Sequence, residues 1–375
     1  MGGARGAVAV LLAIELIDEL VWGSRGAAWP LIRHDLHLSY AEIGLALTIP
    51  GLVGSALDPF IGLAGNTPRR RALIVAGGIG FAISAALSAG AVGFWTLLVA
   101  LLIGNPATGA FVSLAQATLM DREPAAREHN MALWTVAGSI GYVAGPILIA
   151  GAVLVGIGWR GLLLLLGVAA LPLAFGVPRP ARPEVEPRQN GLRELARALR
   201  SRQVVRWLIL LEAADLLLDV FHGFLALYFV DVAHVSAVEA ALAVAIWTGA
   251  GFAGDVLLLA LLRCVRGHTY LRASAAAALV TYPLFLVAPS TAAKLALLAL
   301  LGLLNSGWYA LPKAGLYGAL PGRSGTAVAV AGVGGLTGAL VPAGLGFLAE
   351  QLGLAPTMWV LLLAPLALLA GVPRR

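Results

Sequence analysis

The sequence predicts an all-α integral membrane protein with twelve transmembrane helices in two pseudo-symmetric six-helix bundles. Apolar composition and an internal repeat carry that prediction. Of the 375 residues, 60% are hydrophobic and 12% charged, and the mean hydropathy is +0.90. An ordinary soluble domain carries about 25% charged residues. Polar punctuation cuts the chain into twelve apolar runs near the ~20 residues needed to cross a bilayer. They fall near residues 7–32, 40–64, 72–92, 94–119, 130–155, 159–177, 204–230, 237–262, 270–288, 291–316, 326–349 and 354–372.

The repeat has one register. Glu15, Asp18, Glu42 and Asp58 return as Glu212, Asp215, Glu239 and Asp255, always 197 residues later. His37/His234, Ser39/Ser236, Gly54/Gly251 and Arg69/Arg266 keep the same offset. A duplicated unit is therefore expected: residues 1–177 as one bundle, 204–375 as the other, and 178–203 as the linker. Leu192, Leu195 and Leu199 share one helical face of the linker and Arg193, Arg197 and Arg200 another. That pattern suits a short interfacial helix on anionic lipid; a solvated basic linker is the alternative.

The first run carries three acids and is too long for a signal-peptide core, so it reads as the first spanning helix. Ser39-x-x-Glu42 and Ser236-x-x-Glu239 read as capping boxes opening the second and eighth helices. His37 and His234 precede them as solvated loop residues. Cys264 is the only cysteine, which excludes an internal disulfide and any cysteine metal motif.

The net charge of +6 is not a nucleic-acid signature. With the amino terminus inside, twenty arginines fall on inner segments, against Arg33, Arg160 and Lys294 outside. This positive-inside bias places both termini in the cytoplasm and the chain in a cytoplasmic (inner) membrane. No phosphate-binding loop, HExxH or nucleophile elbow is present, so no enzyme and no cofactor is expected.

Acids within spanning helices are costly and are functional candidates by default. Glu15, Asp18, Glu19 and Trp22 share one face of the first helix, with Arg25 one heptad beyond Asp18. Glu212, Asp215, Asp219 and His222 form a similar face on the seventh. Asp58 and Asp255 lie near the inner ends of helices two and eight, where ion pairing with the following arginines or gating is expected.

Other residues resemble the major facilitator superfamily of transporters. Gly62, Arg70 and Arg71 match the loop signature G-x-x-x-D-R-x-G-R-R; Asn66 stands in place of its acid, Thr67 of its first base and Arg69 of its second glycine. Gly141-x-x-x-Gly145-Pro146 resembles part of the motif of proton-coupled exporters, with Ile149 and Ala150 where paired glycines are expected. Close helix packing through Gly138, Gly141 and Gly145 is the alternative reading. Gly158-Trp159-Arg160 also looks typical of the superfamily. Leu320-Pro-Gly-Arg-Ser-Gly325 resembles drug exporters of the fosmidomycin-resistance type.

The resemblance implies that helices one, four, seven and ten line a central cavity. Glu15 is then expected opposite Glu212, and Asp18 opposite Asp215. Facing carboxylates in low dielectric repel, and such a pair can take up and release a proton. Asn105 and Gln116 on helix four join the cavity candidates, as do Asn305, Trp308, Tyr309 and Lys313 on helix ten. Lys313 reads as the only lysine inside a helix.

The expected function is secondary active transport by alternating access: proton-coupled export of a small amphipathic or cationic compound. The expected partners are that substrate, protons and membrane lipid, with the protein a monomer. Alternatives are proton- or cation-coupled uptake, divalent metal export, or a membrane enzyme or receptor that transports nothing.

Overall fold

The computed structural model describes residues 2–65, 68–122, 127–178, 191–320 and 324–373. They form helices throughout, with no strand among the described residues. The chain divides into two compact units: Met1–Glu186 with Ala237–Leu242, and Pro187–Ser236 with Ala243–Arg375.

The first unit begins with α1 (Gly2–Leu36), α2 (Tyr40–Gly65) and α3 (Arg70–Ala89). It continues through α4 (Phe94–Thr108), a π-helical turn at Gly109–Ser113 and α5 (Leu114–Arg122), then α6 (Arg127–Leu154) and α7 (Gly158–Gly176). The second unit holds α8 (Gly191–Ala198), α9 (Arg202–Asp215), a second π turn at Leu216–Val220, α10 (Phe221–Asp231), α11 (Ala237–Leu261, whose first residues group with the first unit), α12 (Gly267–Val287) and α13 (Thr291–Leu304). It ends with α14 (Ala310–Gly318), α15 (Ser324–Gly338), α16 (Val341–Leu352), α17 (Leu354–Thr357) and α18 (Leu363–Gly371).

Nine helices among the described residues are long and apolar enough to cross a membrane. Neither α1 nor the α9–α10 stretch is among them. Both carry the repeated acids, which lower their hydropathy. The α13 helix is apolar but ends after 14 residues, at Asn305. Large apolar side chains such as Phe60, Trp95, Val155 and Leu259 stand on the outside, as a lipid solvent permits.

The repeat is visible in local geometry. His37 and His234 both have positive φ, at 52° and 56°, so the turns before α2 and α11 share an uncommon left-handed residue. The first capping box forms: the Glu42 amide donates to Ser39 Oγ at 3.1 Å, and the Ser39 amide donates to Glu42 Oε2 at 2.8 Å. Asp35, near the end of α1, accepts from Trp159 Nε1 at 2.8 Å and lies 3.7 Å from Arg160 Nε. Arg160 also donates to the Ala89 and Ala91 carbonyls at the end of α3. The Gly-Trp-Arg sequence thus ties three chain segments at one end of the unit. The linker helix spans Gly191–Ala198; the side chains of Leu192 and Arg193 lie outside the described residues.

α1 packs chiefly against α6. A Cβ on Gly141 would lie 2.5 Å from the Leu16 carbonyl oxygen, and one on Gly145 2.6 Å from the Ser24 amide nitrogen. Ser24 Oγ donates to the Gly145 carbonyl at 3.0 Å. The glycines let the two backbones approach, as small residues do between membrane helices. Gly145→Ala should therefore lower the thermal midpoint of the purified protein by several degrees, since overpacking costs about 1–3 kcal/mol. Gly151 has no neighbour within 4 Å of the same position, so Gly151→Ala should leave the midpoint unchanged or raise it. Equal midpoints for the two variants would show that close approach at Gly145 is not needed.

Candidate functional site

In the first unit, the acid-bearing face of α1 opens onto a cavity of about 150 Å³. Asp18, Trp22 and Arg25 line it from α1, Asn105 and Thr108 from α4, and Ser84 and Ser88 from α3. Thr108 Oγ1 donates to Asp18 Oδ1 at 3.2 Å. Arg25 acts electrostatically on Asp18 and lies over the Trp22 ring at 4.9 Å. The guanidinium thus lies over an aromatic face, within electrostatic reach of the Asp18 carboxylate. Glu15 lies deeper, buried against Gly138 and hydrogen-bonded by the Trp134 indole. The Cβ of Glu19 packs where a side chain on Gly141 would go. Asn105 occupies the space that any Cβ on Gly54 would need, which gives this member of the repeated glycine pair a physical role.

The π turn follows Thr108 directly, three residues after Pro106, which cannot donate a backbone hydrogen bond. The second unit has the same association. Asp215 ends α9, and Asp219 lies within the π turn that follows. The two carboxyl groups act on each other at close range, and Glu212 acts electrostatically on Asp215. Glu212 itself packs against Gly334 of α15. π turns inside α-helices recur at functional sites because they redirect side chains and free backbone groups.

Here the freed group is identifiable. Asn305 Nδ2 donates to the Leu217 carbonyl, inside the π turn, at 2.9 Å. Asn305 also ends α13, where the chain makes a short non-helical break before α14. Gly307 in that break has φ +71°, a conformation suited to glycine. Its amide donates to Asp255 Oδ1 at 2.9 Å, and Ser306 Oγ lies 3.2 Å from the Gly251 carbonyl. Asp58, the repeat partner of Asp255, stands in the first unit with its Oδ1 2.8 Å from the Cβ position of Gly109, the first residue of the other π turn. The two repeated aspartates thus face the interruptions in the α4–α5 and α13–α14 stretches. Arg70 and Arg71 donate to the Gly65 and Phe175 carbonyls. Asn66 lies outside the described residues, as does the stretch 321–323 of the Leu320–Gly325 segment; Gly62 lies within α2.

His222, equivalent to Arg25 in the repeat, is buried and stacks on Trp247 with ring centres 6.1 Å apart. Trp308 is fully buried, its indole donating to Ser274 Oγ at 2.9 Å, so it packs within the unit's core. Tyr309 is half exposed and hydrogen-bonded to Lys313, whose ammonium lies 4.4 Å from its ring centre. Lys313 is not the only helical lysine. Lys294 lies in α13, buried, and donates to Tyr228 Oη, Phe285 O and Leu286 O at 2.8–3.0 Å. The sequence misled because Lys294 opens an apolar run, where a lysine usually reaches water; here the last carbonyls of α12 take its protons. Thr108 was also missed, although it lies three residues from Asn105 on the same helical face. Among the described residues, no group of three His, Cys, Asp or Glu is placed to hold a metal ion.

Asp255→Ala should leave the Gly307 amide without its acceptor, at about 1–3 kcal/mol for a buried unsatisfied donor. We expect a lower thermal midpoint and faster amide hydrogen exchange across 305–311, with Asp255→Asn close to wild type in both. Unchanged exchange in Asp255→Ala would remove the role assigned to this carboxylate.

The fold has solved counterparts. A bacterial homologue of the human lysosomal transporter Spinster, in an inward-facing and occupied conformation, matches at TM-score 0.78 and 15% identity, over 99% of this chain and 94% of that one. The nucleoside transporter NupG matches at TM-score 0.78 and 13% identity, over 98% of this chain and 97% of the other. At such identities the likeness is one of fold. None of the curated proteins matches the chain in sequence. The family model of the Major Facilitator Superfamily matches residues 11–342, so the chain belongs to the Major Facilitator Superfamily and is a multi-pass membrane transporter rather than an enzyme.

Proposed function

We propose that this chain is a proton-coupled secondary transporter that exports a small amphipathic or cationic compound by alternating access of two six-helix halves, 1–177 and 204–375, joined by 178–203. In this reading the acid-bearing stretches α1 and α9–α10 and the broken stretch α13–α14 also cross the membrane. That makes twelve spans, with both termini in the cytoplasm of a cell whose inner membrane holds the protein as a monomer. The observation that carries the proposal is the placing of an acid cluster beside a π turn in each unit: Asp18 with Thr108, and Asp215 with Asp219. Two adjacent carboxyl groups in low dielectric can take up one proton and release it when the pair is opened or when a cation arrives. Binding either a proton or a cationic substrate, but not both, is the elementary requirement of antiport.

Asp18→Asn and Asp215→Asn should each abolish substrate accumulation driven by a pH gradient in liposomes while leaving substrate exchange largely intact. Interacting acids titrate as a unit, so either change should also alter the pH dependence contributed by its neighbours. Full gradient-driven accumulation in both variants would end the assignment.

Charge selects the substrate class. The spanning stretches hold Glu15, Asp18, Glu19, Asp58, Glu212, Asp215, Asp219 and Asp255, against Arg25, Lys294 and Lys313 as bases. Lys294 is committed to carbonyls and Tyr228, and Arg25 lies beside Asp18. An organic anion would find few free donors, and anion recognition usually recruits arginine clusters. Cationic and neutral amphipaths should therefore raise the thermal midpoint in a ligand screen. Stabilisation chiefly by carboxylates or organophosphates, lost in Arg25→Ala, would reverse the preference.

A further inference from the structure

A second cavity lies within the second unit, away from the acids. It is a cleft of about 570 Å³ between α9 and α18. Its upper rim is Arg200, Arg202 and Arg206, and its walls include Ile209, Ala367 and Ala370. The three arginines are exposed, and among the described residues none of their guanidinium groups has a hydrogen-bond or ion-pair partner. Arg202 and Arg206 are four apart on one helix face, with Arg200 in the preceding turn. Ser201, the residue before α9, makes no side-chain cap, so the positive end of a 14-residue helix adds to the arginines' charge at this end of the cleft.

The opposite helix end does not cancel this field. α18 finishes here with its carbonyls, and Arg272 donates to two of them, Leu369 O at 2.9 Å and Val372 O at 3.1 Å. Below the arginines the cleft turns apolar. Ile209 is 58% exposed and lies about 4.5 Å further along the helix than Arg206. Ala367 and Ala370 keep the facing wall shallow. Gly371 closes the cleft, since a Cβ there would lie 2.7 Å from Leu210 Cδ2.

We infer that this cleft binds an anionic phospholipid, with its phosphate among Arg200, Arg202 and Arg206 and an acyl chain along Ile209, Ala367 and Ala370. A free phosphate would use the arginines and leave the apolar walls in water. A neutral lipid would use the walls and leave three unpaired cations. Only a ligand with an anionic head and an apolar tail complements both parts, and basic pockets between membrane helices are suited to such head groups. The site is independent of the transport reading and contains none of its acids.

Native mass spectrometry of the full chain in neutral detergent tests it, with phosphatidylglycerol and phosphatidylcholine of equal chain length as probes. The wild type should retain phosphatidylglycerol selectively. The triple variant Arg200→Gln, Arg202→Gln, Arg206→Gln should lose affinity for it on the order of 100-fold, at about fivefold per arginine. Arg263→Gln, which removes an exposed arginine outside the cleft, should not. Ala370→Phe, which fills the apolar wall, should weaken binding with all three arginines in place. Equal retention of both lipids, an unaffected triple variant, an unaffected Ala370→Phe, or displacement of phosphatidylglycerol by inorganic phosphate at comparable concentration would each overturn the inference.

Discussion

A backbone amide or carbonyl left unpaired among apolar helices has no water to turn to, and this constraint organises the polar side chains of the molecule. Several of the polar side chains answer a helix end or a helix break. Arg160 takes the last carbonyls of α3, Lys294 those of α12 and Arg272 those of α18. Asp255 receives the amide freed in the α13–α14 break, and Asn305 serves the carbonyl freed by the π turn after α9. Irregular backbone is tolerated at membrane depth only where such partners exist. The breaks and their partners therefore have to be kept together.

This coupling explains why the candidate sites sit where they do. In the second unit a π turn begins directly after Asp215 and contains Asp219, its neighbour one turn on. In the first unit Thr108, the last residue before the turn, reaches Asp18. Asp58 and Asp255, which the repeat singles out, approach the interrupted stretches of their own units rather than standing free as helix-end charges. A helix already broken and held by a few side-chain hydrogen bonds can change shape at smaller cost than an unbroken one. That property suits the alternating access proposed above.

The duplication has not kept the two units alike. Arg25 leans over Trp22 beside Asp18, whereas its repeat partner His222 stacks on Trp247 in the core. The first unit thus balances its acids with a fixed cation. The second sets Asp215 and Asp219 beside each other with no such cation at the equivalent position. Divergence at one position has given the two halves different means of holding negative charge in a medium that penalises it.

The sequence by itself determined the apolar solvent, the repeat register and which acids recur in it. These follow from composition, hydropathy and register, which need no three-dimensional contact to be read. It also determined the capping box at Ser39 and Glu42 and the glycine face at 141 and 145, because local spacing decides both. Tertiary structure decided the rest. Periodicity assumes 3.6 residues per turn, so it put Asp215 and Asp219 on one face but could not anticipate the π turns that follow Thr108 and Asp215. Nor could it assign Lys294, whose burial depends on where α12 ends. The pairing of Asp255 with Gly307 and of Asn305 with Leu217 joins segments 52 and 88 residues apart. Such partners are chosen by which helix happens to break beside which side chain, and only the packed helices contain that information.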